Sequence, residues 1–547
     1  MGLLQPTLPP YDPLDWVKQP LAVRGRMVCS AWALEGYGTP LAAYGLHALK
    51  VAFYVGMWIF FCSFTPGMGE LGAIGRWWVL PTAFQKAVLW SMLFEGLGLG
   101  CGSGPLTGRY FPPIGGFLYF LRPGTTKLPL LASWPVVGGF RRTWLDVGLY
   151  LALLVLLTVA LVSPAPERPL LVAIVVLVAV LGLLDRTIFL ALRAEHYWTM
   201  TVCFAFAGNW IAGAKAVQLA LWFWAGVSKL NPHFPAVVCV MTSNSPVLRF
   251  AWLRKLMYQN YPVDLRPSRL AHAMAHAGTA LELAVPTVFC LSPGGWSLKL
   301  GIVLTLLLHG YITSNVPMGV PIEWNVMMVY GAFALFWAHQ DVAVSDLGFG
   351  PVAVFLIVML IVVPLVGNLF PRRVSFLLAM RYYAGNWPYS VWLFHGESYR
   401  KLDRLTKSAP WVYDQLARFY DRATAVGLVG KVMAFRMMHL HGRALGTLVP
   451  RAVDRLEDYE YMDGELIAGL ALGWNFGDGH LHQEALLAAL QAQCGFEPGE
   501  LRCIFVESQP LARSNLDYRI VDAHDGELDR GSIDVRTLTE LQPWGTP

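Results

Sequence analysis

"LYLALLVLLTVALV" (149–162) and "PLLVAIVVLVAVLGLL" (169–184) carry no charged side chain. With their flanks, each reaches the length of apolar helix that spans the hydrocarbon core of a bilayer. The rest of the chain agrees. Of its 547 residues, 55% are hydrophobic and only 14% charged, too little charge to cover the surface of a soluble protein of this size. The fold class expected is an all-α polytopic membrane bundle of about 8–10 helices, followed by a small soluble α+β domain.

Apolar runs lie near 41–63, 80–98, 143–163, 168–186, 190–207, 210–229, 270–291, 297–316, 322–340 and 350–370. The run at 80–98, with Lys86 and Glu95, and the run at 190–207 are the weakest of them. If the N-terminus faces the cytoplasm, alternate loops collect Lys18, Arg24 and Arg26, then Arg109, Arg122, Lys127, Arg141 and Arg142. The next such loop holds Arg249, Arg254, Lys255, Arg266 and Arg269, and the last holds Arg372 and Arg373. The opposite loops hold little beyond Arg76, Arg168 and Lys299. This asymmetry predicts a multi-pass protein of the cell membrane with both termini cytoplasmic. The first thirty residues lack the continuous apolar core of a cleavable signal peptide. A net charge of +5 gives no case for nucleic-acid binding. Eight scattered cysteines, without a CxxC pair, predict neither a zinc site nor a disulfide framework.

Four segments follow: an N-terminal cytoplasmic segment (1–40), the bundle (41–371), amphipathic interfacial helices (372–459) and the small soluble α+β domain (460–547). "SYRKLDRLTKSAPWVYDQLARFYDRA" (398–423) mixes charge with aromatic residues, as an interfacial helix does. "HQEALLAALQAQCG" (482–495) has helical spacing and a glycine stop; "LRCIFVESQ" (501–509) alternates as a strand. "YRIVDAHDGELDRGSIDV" (518–535) predicts a hairpin turning at Asp525-Gly526.

Candidate chemistry centres on "LWFWAGVSKLNPHF" (221–234), where Lys229 follows a stretch of bulky residues and Pro232 ends the helix. A lysine there is either an anchor reaching the headgroups or, when desolvated, a base. "RAEHYW" (193–198) supplies Glu195, His196 and Tyr197. If 190–207 and 210–229 form a hairpin turning at Gly208-Asn209, His196 and Lys229 lie toward the same end.

"FWAGVSKLNPHF" (223–234) and "EHYWTMTVCFAF" (195–206) resemble two motifs of the vitamin K-dependent γ-carboxylase-like, horizontally transferred transmembrane (HTTM) superfamily. The resemblance implies that Lys229 is the base that deprotonates a quinol, with His196 assisting. It also implies a quinone or quinol cofactor such as menaquinone, held near Tyr197, Asn209, Trp224, Gly226, Glu282 and His309. The doubled lysine of the superfamily is Ser228-Lys229 here, and no large lumenal domain is apparent. The whole chain also resembles an actinobacterial family of uncharacterised polytopic membrane proteins.

Two further constellations are present. His272 and His276 in "LAHAMAHAGTALELAVP" (270–286) share a helix face, as a metal pair does, with interhelical hydrogen bonding the plainer reading. Glu282, deep in the same apolar run, is expensive and expected to have a role or a partner. "ELAVP" (282–286) is also similar to a setting in the superfamily. In "LLHGYITSNVPMGVPIEWN" (307–325), His309, Asn315, Glu323 and Asn325 flank a broken turn that either lines a cavity or caps helix ends. The pairs in "HLHGR" (439–443) and "GDGHLH" (477–482) read as incidental, and the glycine-rich 96–104 follows a membrane helix, not a strand.

Three functions are compatible with these residues. The first is a quinol- or isoprenoid-lipid-dependent membrane enzyme with Lys229 as base. The second is a non-catalytic lipid-binding or lipid-handling protein of envelope biogenesis that recruits a partner through its C-terminal domain. The third, an ion-coupled transporter using Glu282 and the histidines, lacks the expected inverted repeat.

Overall fold

The computed structural model describes residues 2–100, 116–134, 138–292, 294–315, 321–374, 384–407, 409–475 and 478–546. Arg109, the end of the glycine-rich stretch (101–104) and the broken turn at 316–320 lie outside them. Helix α1 (Leu21–Glu35) precedes α2 (Leu41–Cys62), α3 (Pro81–Gly96), α4 (Trp144–Val162) and α5 (Arg168–Leu184). Next come α6 (Ala194–Phe206), α7 (Trp210–Ser228), α8 (Phe234–Asn244), a hairpin of β1 (Tyr258–Asn260) and β2 (Asp264–Pro267), α9 (Arg269–Leu291) and α10 (Gly295–Thr313). Helix α11 (Ile322–Gly331) continues as a π-turn through Trp337, and α12 (Pro351–Leu369) closes the bundle.

Each apolar run of the sequence coincides with one of these helices, and five, α2, α4, α9, α10 and α12, have the length and apolarity to cross a membrane. Those five are largely uncovered by the rest of the protein. By contrast α3, α6, α7 and α11 are buried along most of their length. This division explains the weak runs. A helix wrapped by other helices meets no lipid, so it tolerates polar side chains provided each finds a partner. Lys86 donates to the Phe61 carbonyl and Lys215 to His339 O, each at 2.8 Å, and Glu95 and Glu323 are paired as described below.

One end of the bundle is capped by the C-terminal unit. The Tyr119 hydroxyl donates to Ala471 O (2.8 Å), Leu511 N–H to Asn368 O (2.8 Å) and Leu265 N–H to Gln542 Oε1 (3.0 Å). The unit is built on an antiparallel sheet of order β4-β3-β5-β6-β7: β3 (Tyr389–His395), β4 (Tyr459–Asp463), β5 (Leu501–Val506), β6 (Asn515–Asp522) and β7 (Gly526–Asp534). Its helices include α13 (Arg422–Met438), α14 (Gly464–Leu472) and α15 (Glu484–Cys494). The expected strand at 501–509, helix at 482–495 and hairpin at 525–526 are present, with Gly495 ending α15 at φ +61°.

The stretch 372–459 differs from the interfacial helices expected of it. Strand β3 falls there and pairs with both β4 and β5, so the sheet is assembled across position 460. Helix α13 is buried from Thr424 to Met438. The two charges within that buried stretch both find partners inside. Lys431 donates to Thr7 O (2.6 Å) and Tyr37 O (3.0 Å), and Arg436 pairs with Asp463 and Glu465. The first forty residues pack on this unit: Trp32 lies on Phe435, and a Cβ at Gly25 would meet Met437 and Trp544 at 2.9 Å.

His480 ties the unit's loop 478–482 to the sheet. Its Nε2 lies 2.9 Å from Glu507 and its Nδ1 3.3 Å from Asp478. Burial opposes its charge, but Glu507 and Asp478 outweigh burial and raise its pKa from 6.5 to about 9. Because the folded value is the higher one, the contribution to stability is complete below pH 6.5 and lost as pH rises through 9. His480→Gln should therefore lower stability by about 2 kcal/mol at pH 6 and by little at pH 10, measured by thermal unfolding at both pH values.

Candidate functional site

The first turn of α11, Ile322-Glu323-Trp324-Asn325, is buried at every residue. Successive side chains on a helix point about 100° apart, so one turn addresses several neighbours at once. Glu323 meets Lys50 of α2 at 3.2 Å. The Trp324 indole N–H donates to His196 Nδ1 of α6 at 2.8 Å. Asn325 Oδ1 lies 2.7 Å from His309 Nδ1 of α10, and His309 Nε2 accepts from Trp222 of α7 at 3.0 Å. A single turn thus meets three other helices, and through His309 a fourth, α7.

Arg193 adds α3 to this network. It precedes α6 in the left-handed region at φ +50°, a conformation that a non-glycine residue holds only when its surroundings enforce it. Its guanidinium pairs with Glu95 at 3.1 Å and lies 5.5 Å from the Trp324 ring centre. Glu95 is close enough to feel Arg193, Glu323 and Lys50 together. The centre therefore holds two cations and two carboxylates, and Lys50 also donates to Gly100 O at 3.1 Å.

Indole N–H groups only donate, and this fixes the histidine tautomers. His309 must accept at Nε2 from Trp222, so its Nδ1–H donates to Asn325 Oδ1. The Asn325 amide is oriented by its own N–H to Pro321 O at 2.9 Å. Both nitrogens of His309 are used, and protonating Nε2 would break the Trp222 bond. His309 thus ties α10 to α7 and α11. His196 accepts at Nδ1, so its hydrogen is on Nε2, which has no partner among the described residues. Tyr197 stacks on it at 4.6 Å.

The residues expected from the sequence fall into separate places. Lys229 pairs with Glu282 of α9 and donates to Ala225 O at 3.1 Å, with Phe234 at 5.5 Å from its ammonium. Glu282 thus has the partner that its depth requires. Gly226 allows this approach, because a Cβ there would lie 2.6 Å from Leu283. Trp224 donates to Leu360 O at 2.6 Å and binds α7 to α12. Asn209 caps the opposite end of α7, accepting from Ala212 N–H at 3.3 Å. The α6–α7 hairpin turns there as expected, and Lys229 and His196 lie toward its same end. Among the described residues, however, no hydrogen bond, ion pair or ring contact joins them. His272 and His276 lie on the exposed face of α9, and no group of three potential metal ligands occurs among the described residues.

Lys50, Glu95, Arg193 and Trp324 were not singled out by sequence reasoning as functional. The available signal was a charge inside an apolar helix, which lowers the hydropathy of a run while marking a partnered interior position. Glu95→Gln leaves the Arg193 guanidinium buried without its carboxylate and should destabilise the protein by about 3–5 kcal/mol. Replacing both Glu95 and Arg193 by Met should recover most of that loss. Thermal unfolding in detergent checks both outcomes.

A family model described as transmembrane protein of unknown function (DUF3556) matches residues 1–547. No curated protein and no solved structure matches the chain. Nothing in these comparisons connects it with the γ-carboxylase-like superfamily. Extending over the whole length, the match makes the chain a member of the DUF3556 family of transmembrane proteins.

Proposed function

We propose that this protein binds and handles membrane lipid without catalysing a reaction on it. The observation that carries this reading is a cleft of about 660 Å³ between α10 and α11. That volume falls within the range of small-molecule pockets. Leu306, Val326, Val329 and Phe333 give it an apolar wall. Thr313, Ser314 and Asn325 supply polar atoms at the end nearest the C-terminal unit, beside the His309 ring. Helix α10 has the length and apolarity to cross a membrane, so the cleft opens where lipid chains lie. An apolar trough with polar groups at one end suits an amphiphile whose head lies toward the C-terminal unit.

The ten helices α2–α7 and α9–α12 support ten crossings. Arg24, Arg26, Lys127, Arg141, Arg142 and Arg254 lie toward the end capped by the C-terminal unit, which supports a cytoplasmic position for that end. The quinol-dependent reading asks Lys229 to act as a base beside His196. The ammonium is instead engaged by Glu282 across the α7–α9 interface, an arrangement that joins two helices. Menaquinone remains one of the lipids that the cleft would accept.

Gly310 borders the cleft, and a Cβ added there meets nothing within 4 Å. Gly310→Trp should therefore fill the cleft, lower lipid retention about tenfold or more, and leave the melting temperature unchanged. Native mass spectrometry of the detergent-extracted protein measures the bound lipid; an unaltered lipid complement would refute the reading. Lys229→Met should instead lower the melting temperature by leaving Glu282 buried and unpaired, with lipid retention intact.

A further inference from the structure

"SPVLRFAWLRKL" (245–256) joins α8 to the β1–β2 hairpin, and no carboxylate occurs from Leu230 to Val263. The segment ends in one short helix, Ala251–Leu256, and Arg254 fastens it to the protein. The Arg254 guanidinium donates to Leu248 O and Ser245 O, both at 2.8 Å, and to Leu34 O at the end of α1. With Arg254 turned inward, the opposite face of the helix looks outward. Residues three and four apart share a helix face, so Trp252, Lys255 and Leu256 stand together there. The Phe250 ring centre lies 6.3 Å from that of Trp252. Val247, Phe250, Trp252 and Leu256 are each more than half exposed. Arg249 and Lys255 are exposed too, and neither forms an ion pair among the described residues.

Two hydrogen bonds set the level of this surface against the bundle. Ser245 Oγ donates to Ser314 O at 3.1 Å, directly after the end of α10 at Thr313. Asn244 Oδ1 accepts from Tyr37 N–H at 3.0 Å, just before α2 begins at Leu41. Helices α2 and α10 both have the length and apolarity to cross a membrane. The segment therefore starts at the depth where two crossings end, which is the depth of the phospholipid headgroups.

We infer that residues 247–256 form an interfacial platform that binds the anionic phospholipid headgroups of the adjoining leaflet. Three considerations select that occupant. Large apolar side chains clustered on the outside of a protein mark a contact surface. Two of these four are aromatic, and the indole of Trp252 suits the headgroup layer, where the ring is sheltered while its N–H stays wet. Charge then selects the headgroup. Arg249 and Lys255 carry long alkyl stems that lie in such a layer while their charged ends reach phosphate. With no carboxylate along 230–263, the segment offers these charges no competing partner of its own, so it complements an anionic lipid such as phosphatidylglycerol. A second copy of this chain on the same face would bring like charges together. None of residues 247–256 lines the cleft between α10 and α11, so this surface stands independently of it.

The test uses the full-length protein in nanodiscs of mixed phosphatidylcholine and phosphatidylglycerol, with the photo-crosslinker p-benzoylphenylalanine in place of Trp252. Mass spectrometry identifies what the probe captures on illumination. Phosphatidylglycerol should be captured at least about fivefold above its share of the bilayer, the preference expected of one cation at an anionic surface. Raising the salt concentration should reduce that enrichment, because the charges are exposed. Combining Arg249→Gln with Lys255→Gln should return the captured lipids to the bulk ratio. Neither side chain has an ion pair to lose, so the fold should survive the change. Capture of protein instead of lipid, capture at the bulk ratio in the otherwise unaltered chain, or enrichment that persists in the double variant overturns the inference. In Gly310→Trp the enrichment should remain, and its loss there would assign the captured lipid to the cleft instead.

Discussion

The bundle depends on the hydrogen bond from the Trp324 indole to His196, and on the turn that carries it. In water, a mispaired tryptophan, histidine or glutamate is rescued by solvent. In the apolar interior of a membrane bundle each such group must find a partner in the protein. One turn of α11 presents a carboxylate, an indole and an amide to α2, α6 and α10, and each meets a complementary group. Because the partners are directional, they set the rotation and depth of each helix more tightly than apolar packing does. Removing any one of them breaks the link between α11 and that helix.

The same rule explains what was legible in the sequence. Peripheral helices such as α4 and α12 touch lipid along much of their length, so their composition announces them. Interior helices such as α3 and α6 read weakly, because Glu95, Lys86 and Arg193 are shielded by neighbours that a linear reading does not show. The error at 372–459 has the same origin. The mixed charge and aromatic residues of 398–423 suggested an interfacial face. Yet α13, which follows, is buried, with Lys431 bonded to Thr7 O and Tyr37 O and Arg436 paired with Asp463 and Glu465. Strand β3 escaped notice because it is buried on both faces and shows no alternation. Of the candidate site, His196, His309, Glu282, Glu323 and Asn325 were legible as polar residues in apolar surroundings. Their pairing was not, since it joins side chains on different helices: His196 to Trp324, His309 to Trp222 and Asn325, Glu282 to Lys229, and Glu323 to Lys50.

Residues 221–234 show how one short stretch connects the layers. Trp222 and Trp224 hold α7 to α10 and α12, Lys229 holds it to α9, and His233 enters the C-terminal unit. This stretch thereby joins the membrane bundle to the C-terminal sheet.

The central claim is that the cleft between α10 and α11 is a lipid site formed beside the polar turn. A cryo-electron microscopy map of the protein in native-lipid nanodiscs tests it most directly. The account predicts elongated density along Leu306, Val329 and Phe333, with its polar end beside His309 and Asn325. A cleft closed by its own side chains, or lined only by disordered bulk lipid, would contradict it.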